Sequence, residues 1–155
     1  MPLNVISSCA APRILNTVKA RQVVTGRYDL EKFLETPSSQ TILDLIGHSV
    51  EDLLQLGDWV IDSSALPWFR VHASAFRRFE AVRLIGCHTA SSAEARRTIC
   101  AIGDVLGVEV YGATGFIFDY HYNAAGFDPA WRFLLGSAQE LPRRAAESDF
   151  KRTRA

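Results

Sequence analysis

The chain has 155 residues, 48% of them hydrophobic, and carries 17 basic against 17 acidic side chains. That length fits one domain with a sizeable core, and the charge balance gives no global electrostatic case for nucleic acid, an anionic membrane or a strongly charged substrate. Three cysteines, Cys9, Cys87 and Cys100, are too few and too irregularly spaced for a disulfide framework or a zinc cluster, so a cytoplasmic protein with reduced thiols and no metal or cofactor is expected.

Residues 3–7 read as a first strand. The stretch up to Cys9 loosely has the form of a lipoprotein cleavage site, but it lacks a basic start and an apolar signal core. No run approaches the roughly 18 apolar residues of a membrane span. Ile14, Leu15 and Val18 have helical spacing within 12–19, and 22–25 reads as a second strand. A helix opens at Tyr28, with Leu30, Phe33 and Leu34 on one face, and Pro37-Ser38-Ser39 ends it. Ile42-Leu43-Asp44-Leu45-Ile46 is the third strand. Between residues 51 and 62 the Gly57-Asp58 pair, flanked by apolar residues, predicts a small hairpin. A helix over 66–79 returns the chain to the sheet for Val82-Arg83-Leu84-Ile85. Residues 92–106 form an amphipathic helix stopped by Gly107, and 108–112 the next strand. Strands alternating with helices predict an α/β fold, a mainly parallel sheet with helices on both faces. The domain is expected to span 1–141, followed by a charged, mobile tail over 142–155.

Two apolar runs end alike: one enters Gly47-His48-Ser49, the other Gly86-Cys87-His88. A buried strand stopped by glycine exposes the next side chain at its C-terminal end, where open α/β sheets build their sites. A thiol becomes a nucleophile when a base raises its thiolate fraction, and a histidine in reach supplies that and a later proton donor. Gly47 and Gly86 would let the backbone approach a substrate closely, and the N–H groups of Cys87 and of the turn near His48 are candidate oxyanion donors. Singly, a cysteine in an apolar strand is usually a core residue and a histidine at a strand end a polar turn residue. The matched context argues for a pair.

These strands, the Leu54-Gln55-Leu56-Gly57 segment and Val108-Glu109-Val110-Tyr111-Gly112-Ala113-Thr114 together resemble the caspase-like (clan CD) cysteine peptidases. The likeness is nearest to bacterial CHAT-type proteins and to the caspase-like domains of large bacterial surface proteins, and it covers about residues 40–115. It implies a three-layer caspase-like α/β sandwich with His48 as general base and Cys87 as nucleophile. Ser49 stands where the family usually has glycine, and His88 where a small or amide side chain is typical. The chain is short for such a peptidase, so substrate loops could be minimal or supplied by an activating or scaffolding partner.

Asp119 follows the apolar run 116–118, past the strand that in such enzymes leads toward the primary specificity pocket, and would select a basic side chain. Arg27 would suit an acidic one. Ser49 and Thr114 are assigned with Asp119 to substrate contact. His88 is a weaker candidate for chemistry, and His72 and His121 read as structural or surface residues. A phosphatase loop, a hydrolase nucleophile elbow and a phosphate-binding loop all fail on spacing. The expected function is a cysteine endopeptidase acting on protein or peptide. The alternatives are a catalytically silent caspase-like module for protein interaction, suggested by the aromatic segment 116–122, and a thiol redox sensor.

Overall fold

Alternation within five-residue strands decides the architecture. In β1 (Leu3–Ser7), β3 (Ile42–Ile46), β7 (Ala81–Ile85) and β8 (Glu109–Ala113), Val5, Leu43, Leu45, Val82, Leu84 and Val110 point into one core. Ile6, Ile46, Ile85 and Ala113 point into a second. Strands buried on both faces belong inside a parallel sheet. The computed structural model describes residues 1–138 and 140, and in it these strands form the centre of a six-stranded sheet. With β2 (Gln22–Val24) and β11 (Leu135–Ser137), the order is β11-β8-β7-β3-β1-β2. All neighbours are parallel except β11, which runs antiparallel to β8. The expected mixed α/β fold with a mainly parallel sheet is therefore present.

The two faces are covered unequally. α2 (Arg27–Glu35), α3 (Leu66–Val71), α4 (Ala73–Phe76) and α5 (Ala93–Leu106) pack Leu30, Leu34, Phe69, Phe76, Ile99, Ile102 and Leu106 on the first core. Ser92 caps α5 by accepting the Ala95 N–H, and Gly107, at φ 68°, closes it. The second core is covered by Ile14 and Val18 in and after the short α1 (Pro12–Thr17), and by Ile117, Tyr122 and Phe127.

Several elements differ from expectation. The helix over 66–79 is two short helices broken at His72, preceded by a 3-10 turn over Ser63–Ala65, though Phe69, Ala73 and Phe76 keep one buried face. The hairpin of β5 (Leu53–Leu56) and β6 (Trp59–Val60) forms as expected around Gly57. A further strand, β4 (Ser49–Val50), extends it into a three-stranded meander. Beyond β8 come β9 (Tyr122–Asn123) and β10 (Gly126–Phe127), a small hairpin, and a 3-10 segment over Pro129–Leu134. The tail expected over 142–155 lies outside the described residues. Among the described residues no helix is long and apolar enough to cross a membrane.

Candidate active site

Four chain segments leave the carboxyl ends of four adjacent parallel strands and meet around one cavity of about 500 Å³: 11–14 after β1, 47–48 after β3, residue 87 after β7, and 117–122 after β8. From β1 the chain moves first to β2 on one side and later to β3 on the other, so the cavity lies at the topological switch point, the usual ligand site of such sheets.

The register sets His48 and Cys87 at the ends of neighbouring strands, where both line the cavity without a hydrogen bond between them. Ile46 pairs with Ile85, and the Gly47 N–H continues the ladder by donating to the Ile85 carbonyl at 3.2 Å. His48 and Cys87 thus each stand two positions past a paired isoleucine, on strands that run about 5 Å apart. His48 is exposed and Cys87 half-buried.

Cys87 is fixed by two neighbours. Its sulfur accepts the Ile117 N–H at 3.3 Å and lies 3.5 Å from the Ile117 carbonyl, to which the thiol can donate. The turn beneath it is tied by Thr89, whose buried hydroxyl donates to the Leu84 carbonyl at 2.7 Å and accepts the Ala113 N–H at 2.8 Å. His88 adopts φ 60°, and its Nδ1 lies 3.0 Å from Ser91 Oγ while the ring meets Phe116 edge-on. It does not line the cavity with Cys87.

The meander holds His48. Gln55 donates its N–H to the His48 carbonyl at 2.8 Å. A Cβ on Gly47 would stand 2.2 Å from the Gln55 carbonyl oxygen, and one on Gly86 would stand 2.9 Å from both the Gly47 oxygen and Leu54 Cδ1. The two glycines are thus required by the packing of the hairpin on the strand ends, a role the sequence did not suggest. No acceptor among the described residues takes the backbone N–H of His48 or of Cys87, whereas that of Gly47 is committed to the Ile85 carbonyl and is not free for an oxyanion.

Asp119 lines the cavity, and its carboxylate pairs with Arg13 at 3.3 Å. Ser49 and Thr114 do not line it. Ser49 pairs with Leu54 in the meander, and the Thr114 hydroxyl donates to the Leu134 carbonyl at 3.1 Å, securing the segment that leads into β11. Arg27 packs over the Tyr28 ring, away from the cavity. His72 meets Glu31 at 3.2 Å on the other face of the sheet. His121 is buried, and its Nδ1 accepts the Phe118 N–H at 2.9 Å, which shapes the cavity wall.

Sequence reasoning missed two groups here. Tyr122 lines the cavity, and burial, the Asp44 carboxylate and then Cys87 push its phenol far above the usual range, so it remains a neutral hydroxyl. Arg13 is the other, since a lone arginine in a short helix carries no signal of what faces it. A larger hollow of about 610 Å³ lies at the opposite end of the sheet beside Cys100 and Gly107. Burial, and then Asp104, push the Cys100 thiol up, which makes it a poor nucleophile. Among the described residues no group of side chains could hold a metal ion. The chain matches no family model, no curated protein and no solved structure.

Proposed function

We propose that the chain is a caspase-like cysteine endopeptidase, a three-layer sandwich in which Cys87 is the nucleophile and His48 the general base. The observation that carries this reading is the shared cavity at the switch point, lined by both residues from equivalent ends of neighbouring strands. The Cys87 thiolate attacks a peptide carbonyl, forming a carbon–sulfur bond and an oxyanion that the His48 and Cys87 N–H groups can receive. Collapse breaks the C–N bond, and His48 gives its proton to the leaving amine. Water, deprotonated by His48, then attacks the acyl-enzyme and releases the acid and the thiol. A protein or peptide is the substrate, and the free thiols suit the reducing cytoplasm.

Cleavage of a mixed peptide library, followed by mass spectrometry, tests the reading. Wild-type protein should produce defined cuts, and Cys87→Ala should produce none while keeping its circular dichroism spectrum. Alkylation needs no substrate: labelling of Cys87 faster than that of Cys100, and slowed by His48→Ala, is the expected result. Cuts that survive Cys87→Ala at the wild-type rate would end the proposal.

A second reading has its own observation. Phe116, Phe118, Tyr120 and Phe133 are exposed and joined through Trp131 in a chain of ring contacts beside the cavity. Exposed aromatic surface is characteristic of interfaces, and a silent module would use it to bind a partner without proteolysis. Slow, His48-independent alkylation would favour that reading.

A further inference from the structure

The cavity holds one carboxylate and one guanidinium, and they are unequal. Asp119 sits in a 3-10 turn whose flanks are fixed by the Phe118 N–H to His121 Nδ1 bond and by the stacking of Phe118 on Tyr120, 5.4 Å apart and 18° from parallel. Its side chain is 33% exposed. Arg13 reaches across from the first turn of a six-residue helix, its side chain 86% exposed. Opening the pair therefore leaves Arg13 solvated at little cost, while the more enclosed Asp119 gives up its ion-pair partner and can take another cation in its place.

We propose that Arg13 is a built-in stand-in for the substrate: it occupies the Asp119 carboxylate in the free protein, and a basic substrate side chain displaces it. The inference rests on the peptidase reading of the same cavity and defines its substrate class as arginine or lysine at the bound position. An acidic side chain would instead have to take Arg13 and strand Asp119. Phe118, stacked between Phe116 and Tyr120, forms the apolar wall of the cavity beside Asp119. Because the pair is exposed, the stand-in raises the threshold for binding without closing the cavity.

Binding without turnover separates this inference from the peptidase reading. Nα-acetylarginine amide, Nα-acetylglutamine amide and Nα-acetylglutamate amide would be titrated into the full chain and followed by amide chemical shifts at residues 13 and 117–119. The arginine amide should bind best. Its affinity should rise about two- to five-fold in Arg13→Ala and in Arg13→Gln, the range for opening one exposed ion pair, and fall to the glutamine-amide level in Asp119→Asn. Preference for the glutamate amide, abolished by Arg13→Ala, would overturn the proposal. So would an arginine amide whose affinity is unchanged in Arg13→Ala and Arg13→Gln, or one that binds no better than the glutamine amide in both wild type and Arg13→Ala. Arginine-selective binding in a protein that cuts no peptide would defeat the peptidase reading alone, and cleavage with no preference for a basic residue would defeat this one alone.

Discussion

His121 shows how one residue can be structural and still govern the cavity. Burial pushes its imidazole below the usual range, with Asp119 pulling the other way. Its Nδ1 is already an acceptor for the Phe118 N–H, which requires the neutral ring. As pH falls below the ordinary histidine value of about 6.5, the unfolded chain binds a proton that the folded chain refuses. Stability must therefore fall with pH through that window and level off only below the depressed folded value. Urea midpoints measured at pH 7.5 and pH 5 should drop further for wild type than for His121→Gln. Equal drops would mean that the ring is not held neutral. Other single residues were readable at once and for partly the wrong reason. Gly47 and Gly86 stand out in the sequence as strand stops, but what excludes a Cβ there is the meander pressed on them from residues some eight and thirty positions away, and no local pattern encodes that contact.

Among the elements, the neighbouring strands β3 and β7 carry a buried cost. Asp44 is fully buried and receives Arg83 Nε and Nη2 at 2.6 Å each, from the directly opposed position of the next strand. Burial pushes the carboxyl up and the guanidinium pulls it back. Asp44→Asn keeps the shape but leaves Arg83 without its counter-charge, and should cost about 3 kcal/mol in urea unfolding. Replacing both, Asp44→Leu with Arg83→Met, should recover most of that loss. A single variant within about 0.5 kcal/mol of wild type, the scale of a neutral surface change, would show that the pair contributes nothing. Strands like these were legible because short apolar runs bounded by glycine admit few other readings, and so were the helices with caps or strong periodicity. β4 was not, since its turn places Glu51 and Asp52 at φ 50° and 67° without the glycine that marks such turns. Nor was β11, three residues long and stabilised by pairing with β8 rather than by its own pattern. The His48 and Cys87 positions were readable from equivalent strand endings and Asp119 from its place after the run 116–118, whereas Arg13 and Tyr122 join them only through long-range packing.

For the whole molecule, the unequal covering of the sheet matters most. One face is closed by four helices with a continuous core of Phe69, Phe76, Ile99 and Leu106; the other rests on α1 and the segment from 116 to 134, which buries Tyr122 and Phe127 but leaves Phe116, Phe118, Tyr120 and Phe133 exposed. Local opening follows the layer with fewer buried apolar contacts. Both walls of the cavity, 11–14 and 117–122, belong to that layer, while His48 and Cys87 stand on the ends of the best-buried strands. His48 and Cys87 therefore stand on the better-protected layer, and the cavity walls around them on the more adaptable one. Hydrogen exchange followed by mass spectrometry should find amides of β3, β7 and β8 exchanging only through global unfolding. Those of 12–17 and 116–134 should exchange through smaller openings that depend little on urea. Equal protection in both layers would refute this division, and a bound peptide that slowed exchange in 12–17 and 116–134 alone would show the walls closing on it.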